Sequence, residues 1–242
     1  MKYGQLEDGT RVSADYASKA DKHFCPGCGA ALILKQGEIN DWHFAHECGK
    51  DCEAFTENKM TEWHIKHQND FPEECREVRL EDPFSNEVHI ADIKCGNLIV
   101  EFQHSHIDNE TFENRTAFYN DYGRVVWVFD FMDKWDDGNI WWYKRRPDSS
   151  GCFAWSRPNK TLGEYHLLGC GFDVFVQLHE DLYCLVEWNP RGMKFFNGRQ
   201  FSHSEFLEYL RNVYKKAYGM RKLQPREIKN PPGFLFMYNF TD

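Results

Sequence analysis

Apolar and polar positions alternate most clearly between His89 and Ser105. Leu98, Val100 and Phe102 fall on one face of an extended chain, and Ile99, Glu101, Gln103 and Ser105 on the other. Cys95-Gly96-Asn97 separates this run from the preceding one, His89 to Lys94. Gly and Asn accept the positive φ that a two-residue hairpin turn demands, so the segment predicts two strands and a tight turn. Its Leu98, Val100 and Phe102 face is expected to pack on the core. A helix is expected next, starting at Asp108 or Asn109 as N-cap and running through Phe112, Arg115, Phe118 and Tyr119. Arg124 to Asp130 is a continuous apolar run, read as a strand buried on both sides. Strand, strand, helix, strand fits one α/β core.

Upstream, Thr56 to Phe71 reads as a helix capped by Thr56 or Asn58 and ended by Pro72. Met60, Trp63 and His67 lie near one of its faces, with Glu62, His64 and Lys66 at its middle. A short strand, Glu77 to Leu80, follows. Downstream the pattern changes to short β-rich runs, Ile140–Tyr143, Phe172–Leu178 and Tyr183–Trp188, broken by turn residues and read as an antiparallel extension. Ser202 with Glu205 three residues on forms a capping box. It opens a helix with Phe206, Leu207, Leu210, Val213 and Tyr214 on its apolar face. Asn230 to Gly233 reads as a turn.

The 242 residues suffice for one large domain or two small ones. At 41% apolar and 16% aromatic, the composition supports a packed core and argues against disorder. No apolar run is long enough for a membrane span, and the first residues lack the apolar region of a secretory signal, so a cytoplasmic location is expected. The net charge of −9 is the wrong sign for tight, non-specific nucleic-acid binding. Local basic clusters remain: Lys144-Arg145-Arg146, Lys215-Lys216 and Arg221-Lys222.

Nine cysteines, an odd number, argue against a disulfide framework in such a location. Cys75, Cys95, Cys152, Cys170 and Cys184 are scattered and are expected as small buried side chains. Cys25-Pro26-Gly27-Cys28 is a metal knuckle, with His43, His46, Cys48 and Cys52 downstream as further ligands. Thiolate with imidazole selects zinc. His43 and His46 are three apart and point to opposite faces of a straight strand, so both ligate only if the chain turns between them. The second candidate centre is the hairpin. Asp92 and Glu101, held close at one end, make a cage for a hard divalent cation, the arrangement a Mg²⁺-dependent nuclease needs.

Trp63, His64 and Lys66, then Ala91-Asp92-Ile93, Glu101-Phe102-Gln103-His104-Ser105, Arg115 with Tyr119, and Val126 to Phe129 together resemble the nuclease domain of the competence protein CoiA family. That family is similar to the wider PD-(D/E)xK restriction-endonuclease-like group. The resemblance covers residues 20 to 135 and includes Cys25-Pro26-Gly27-Cys28, His43-Phe44-Ala45-His46 and Asp51-Cys52. Gln103 stands where the wider group carries lysine, as the CoiA-like pattern itself does. The resemblance implies Asp92 and Glu101 as ligands of Mg²⁺ or Mn²⁺, with Gln103 beside them. It makes His64 or Glu62 a helical contributor, and Ser105 and Arg115 contacts to substrate or site carboxylates. With its Asp51-Cys52 piece, the favoured zinc set is Cys25, Cys28, His46 and Cys52, with His43 as alternative.

The expected architecture is α+β or α/β. A zinc-binding N-terminal module spans residues 1–55 and a restriction-endonuclease-like core with a mixed sheet and flanking helices spans 56–135. A β-rich region with a C-terminal helix spans 136–242. The expected function is metal-dependent hydrolysis of nucleic acid, DNA before RNA. The alternatives are a non-catalytic nucleic-acid-binding or adaptor protein, and a homo-oligomer or assembly partner docking through the C-terminal half.

Overall fold

A computed structural model of the chain describes residues 1–38, 42–47, 61–146, 150–156, 172–187 and 195–218, with the backbone alone at 145, 195 and 213–218. The N-terminal residues form a small sheet of β1 (Tyr3–Gln5), β2 (Arg11–Ser13), β3 (His23–Phe24), β4 (Ala31–Lys35) and β5 (His43–His46), in the order β2-β1-β3-β4-β5. Few side chains fill its core, chiefly Leu32, Leu34, Phe44, Ala14 and Cys25.

Among the described residues the larger sheet has nine strands: β6 (Arg76–Glu81), β7 (Val88–Cys95), β8 (Leu98–Gln103), β9 (Arg124–Asp130), β10 (Ile140–Arg145), β11 (Ser150–Trp155), β12 (Phe172–His179), β13 (Leu182–Glu187) and β14 (Phe195–Phe201). Their order is β10-β11-β14-β13-β12-β9-β8-β7-β6. The strands beyond residue 136 therefore continue the sheet that carries the hairpin. They were expected as an antiparallel extension, but β12 pairs parallel with β9, as β9 does with β8. The mixed sheet itself is as expected, and three adjacent parallel strands form its centre.

The β7–β8 hairpin turns through Gly96 and Asn97, with Cys95 opposite Leu98 and Gly96 at φ 53. Gly123 packs on this turn, where a Cβ would strike the Asn97 carbonyl. The amide of Arg124 donates to that carbonyl at 2.6 Å, so the hairpin tip is tied to the start of β9. Helix α2 (Asn109–Asn120) begins at Asp108, whose side chain accepts the Thr111 N–H. Phe112, Phe118 and Tyr119 of α2 cover Ile99 and Trp127 on one face of the sheet. Trp63, from helix α1 (Glu62–Gln68), and Phe206 and Leu210, from helix α4 (His203–Tyr218), cover Leu98, Val100 and Phe102 on the other. The short helix α3 (Met132–Asp136) follows β9. Burial on both faces explains the unbroken apolar run of β9, where Val125 to Phe129 are all buried.

Helix α1 is shorter than expected. Its N-cap is Thr61, which accepts the His64 N–H, and it ends at Gln68. Residues 56 to 60, with Thr56, Asn58 and Met60, lie outside the described residues. The cysteine expectation also needs correcting, because Cys75 and Cys95 form a disulfide with Cα atoms 5.2 Å apart. Their separation of 20 residues is closed by antiparallel pairing of β6 with β7, which spacing alone does not reveal. Strand β6 starts one residue before Glu77, and Glu77 adopts φ 43. Its buried carboxylate accepts the backbone N–H groups of Lys2 (2.9 Å) and Tyr3 (3.2 Å), joining the small sheet to the large one. Ser202 and Glu205 form the expected capping box, the Glu205 carboxylate accepting the Ser202 N–H at 2.7 Å. The Val213 and Tyr214 side chains, Cys170, Arg221, Lys222 and the Asn230–Gly233 turn lie outside the described residues.

Candidate metal centres

The carboxylates of Asp92 and Glu101 lie where the β7–β8 ladder stops. Backbone pairing runs from Cys95–Leu98 to Ile93–Val100. One step further, side chains replace the ladder. The Asp92 N–H donates to Glu101 Oε1 at 3.1 Å, and the Phe102 N–H donates to Asp92 Oδ2 at 2.8 Å. The strands part here, and α1 reaches the opening from the Phe102 face. Gln68 Nε2 donates to Asp92 Oδ1 at 3.4 Å, and His64 Nε2 lies 2.6 Å from the Phe102 carbonyl. A carbonyl only accepts, so His64 Nε2 carries the proton. Burial lowers the pKa of His64 and favours its neutral form, and Nδ1 faces the Thr61 hydroxyl at 3.0 Å. His64 thus orients the Phe102 peptide.

On the other face, Arg115 of α2 donates to Glu101 Oε2 at 2.7 Å, and both side chains are about 5% exposed. The same guanidinium nitrogen donates to the Tyr119 hydroxyl at 2.8 Å, which in turn donates to the Ile90 carbonyl at 3.3 Å. The Arg115 Nε–H is buried with no partner among the described residues. Burial pushes the Asp92 carboxyl up to about 6, against the pull of the Phe102 N–H and Arg115. Burial also pushes Glu101 up to about 7, outweighing Arg115, while the Asp92 charge adds to the rise. Two neighbouring carboxylates that resist ionisation together are a donor set that a divalent cation would satisfy.

Gln103 is buried, and its side-chain amide donates to the Ser105 carbonyl at 2.8 Å. Ser105 itself is exposed at the end of the strand. Glu62 is exposed in the first turn of α1 and makes no hydrogen bond to the carboxylate pair. Gln68 is the site residue that sequence reading missed. It lies four positions after His64, on the same helical face, and that spacing was the available signal.

The N-terminal centre forms at one corner of the small sheet. The knuckle closes through Gly29 N–H to the Cys25 carbonyl and Cys25 N–H to the Ala30 carbonyl, each at 2.8 Å, with Gly29 at φ 70. The Gly27 N–H points at Cys25 Sγ at 3.4 Å. Pairing of β4 with β5 sets His46 opposite Leu32, and His46 Nε2 lies 3.4 Å from Cys28 Sγ. Donor atoms of Cys25, Cys28 and His46 all lie within 4.8 Å of one another, a group able to hold a metal ion. His43, opposite Lys35 at the far end of β5, is not part of this group. Cys48 and Cys52 lie outside the described residues.

Comparison with known families gives two matches. The family model for the competence protein CoiA N-terminal domain matches residues 6–55, which include Cys25, Cys28 and His46. The model for the competence protein CoiA nuclease-like domain matches residues 71–139, which include Asp92, Glu101, Gln103 and Arg115. No curated protein and no solved structure matches the chain. Among the described residues no helix is long and apolar enough to cross a membrane.

Proposed function

The chain belongs to the competence protein CoiA family, and from that premise we propose that it is a metal-dependent nuclease of the PD-(D/E)xK type, acting on DNA in preference to RNA. The observation that carries the reading is the Asp92–Glu101 pair at the parting of β7 and β8, each carboxylate bound to the other strand's backbone. An adaptor gains nothing from two buried acids beside a phosphate chain. A Mg²⁺ or Mn²⁺ ion bound by Asp92 and Glu101 would supply neutralisation of phosphate charge and activation of water.

The remaining residues have roles that follow from their contacts. Arg115 holds one oxygen of Glu101 and leaves the other toward Asp92. Gln68 and His64 fix the far side of the opening. Gln103 takes the place of the usual lysine. A neutral amide cannot act as a base at pH 7, so it orients water or phosphate by hydrogen bonding. Ser105, exposed beyond it, is suited to contact a phosphate oxygen. Zinc at Cys25, Cys28 and His46, with Cys52 as fourth ligand, would staple the N-terminal sheet. The test is incubation with labelled single- and double-stranded DNA and RNA in Mg²⁺, Mn²⁺ or EDTA. Cleavage that needs the ion is expected, and binding without cleavage under every condition contradicts the proposal.

A further inference from the structure

A second polar pair lies at the carboxyl ends of the parallel strands β8 and β9, and the roles assigned above leave it unused. His104 follows Gln103 at the end of β8, and Asp130 is the last residue of β9. Nδ1 of His104 lies 2.8 Å from Oδ2 of Asp130. The Asp130 side chain is 8% exposed and the His104 side chain 42%. Asp130 is itself fixed, its other oxygen accepting the Met132 N–H at 3.1 Å. A carboxylate only accepts, so Nδ1 of His104 carries a proton, and Nε2 is the ring's other nitrogen. Among the described residues no group hydrogen-bonds to Nε2.

The ring lies on the α1 side of the sheet, the side from which Gln68 reaches Asp92. Its centroid is 6.1 Å from that of Trp63 and 6.5 Å from that of His64. His64 touches the Phe102 carbonyl, and Asp92 binds the N–H of Phe102. A purely structural purpose is a weak account of the pair. Strands β8 and β9 are already joined by a ladder from Leu98–Arg124 to Gln103–Phe129, so the pair is not needed to hold them together.

We propose that His104 donates the proton to the leaving oxygen during phosphodiester hydrolysis and that Asp130 positions it, an inference that rests on the nuclease reading above. Water oxygen forms a new bond to phosphorus. The bond from phosphorus to the leaving oxygen breaks, and its electron pair stays on that oxygen. The Nε2 proton of His104 moves to the same oxygen, and Asp130 stabilises the imidazolium before transfer. The proton released by the attacking water goes to solvent, which later reprotonates His104. The products are one end bearing a phosphate monoester and one bearing a hydroxyl.

The experiment compares two substrates with Mg²⁺ or Mn²⁺ supplied. One is a DNA oligonucleotide, whose leaving alkoxide needs a proton. The other is the p-nitrophenyl ester of thymidine 5′-phosphate, whose leaving group departs as an anion. His104→Gln should slow DNA cleavage about a hundredfold or more and ester hydrolysis by no more than about threefold. Asp130→Asn keeps the oxygen that caps Met132 and should show a smaller loss with the same selectivity. Melting temperatures near that of the parent protein would exclude misfolding. Equal losses on both substrates, or no loss on either, overturn the assignment. A parent protein that hydrolyses only the activated ester also overturns it, because a leaving-group acid would then be idle. A parent protein that hydrolyses neither substrate overturns the nuclease reading itself, and the dyad with it.

Discussion

Arg115 reaches across from α2 to hold Glu101 at 2.7 Å in surroundings where neither side chain is more than about 5% exposed. Removing one member of such a pair strands the other as a buried, unpaired charge or polar group. Arg115→Met is therefore expected to destabilise the protein by about 3–5 kcal/mol, measured by urea unfolding. Adding Glu101→Gln should restore part of the loss, because the orphaned carboxylate is gone. A small effect of Arg115→Met alone would mean the pair contributes little.

The two site acids make metal-free stability fall with rising pH. Asp92 titrates at about 6 and Glu101 at about 7, above their ordinary values of 3.8 and 4.5. Protons bound by the folded protein are thus released on unfolding near neutral pH. Their contribution is fully present below about pH 4 and is lost as pH rises through the folded values. In EDTA, the melting temperature should drop between pH 5 and 8. The drop should flatten in the Asp92→Asn, Glu101→Gln double variant, and Mg²⁺ should restore stability at pH 8. A melting temperature that rises over this interval contradicts the assignment.

Elemental analysis of the purified protein should find about one zinc per chain, as a closed four-ligand site implies. His46→Ala should lose the zinc and His43→Ala should keep it, since among the described residues His46, and not His43, joins Cys25 and Cys28. Cys25→Ser should cost solubility or fold. A stable protein without metal would exclude the staple.

Lys144 and Arg146 are exposed at the end of the edge strand β10. If they contact phosphates, replacing both with Ala should weaken DNA binding and reduce the salt slope by roughly one per lost contact. Unchanged affinity and slope would place them on a bystander surface.

Features set by neighbouring residues were legible in the sequence. The Gly96-Asn97 turn, the alternation along Leu98 to Gln103, the Asp108 cap and the Ser202–Glu205 box each depend on a few adjacent positions. The Cys25-x-x-Cys28 knuckle was legible for the same reason, but His46 over His43 followed only from the family resemblance, and it is the pairing of β4 with β5 that brings His46 to Cys28. What escaped depends on distant strands meeting. The parallel pairing of β12 with β9 places Gln177 opposite Asp130, with two intervening strands, β10 and β11, added at the far edge. No local pattern encodes that crossover. The same holds for Cys75 with Cys95, for Glu77 with the Lys2 and Tyr3 amides, and for His104 with Asp130. Glu77, which opens the short strand read in the sequence, has its carboxylate engaged by the N-terminal strand.

The most direct test of the central claim is a paired assay of nuclease activity and melting temperature in Asp92→Asn and Glu101→Gln. Both changes are nearly isosteric and remove one negative charge, and a hard cation holds neutral amides weakly. Each variant is predicted to lose cleavage. The metal-free melting temperature of Asp92→Asn should hold or rise at pH 8, where the two carboxylates otherwise repel each other, while that of Glu101→Gln should fall because Arg115 loses its charged partner. Cleavage that persists in both variants would contradict the assignment of the metal to this pair.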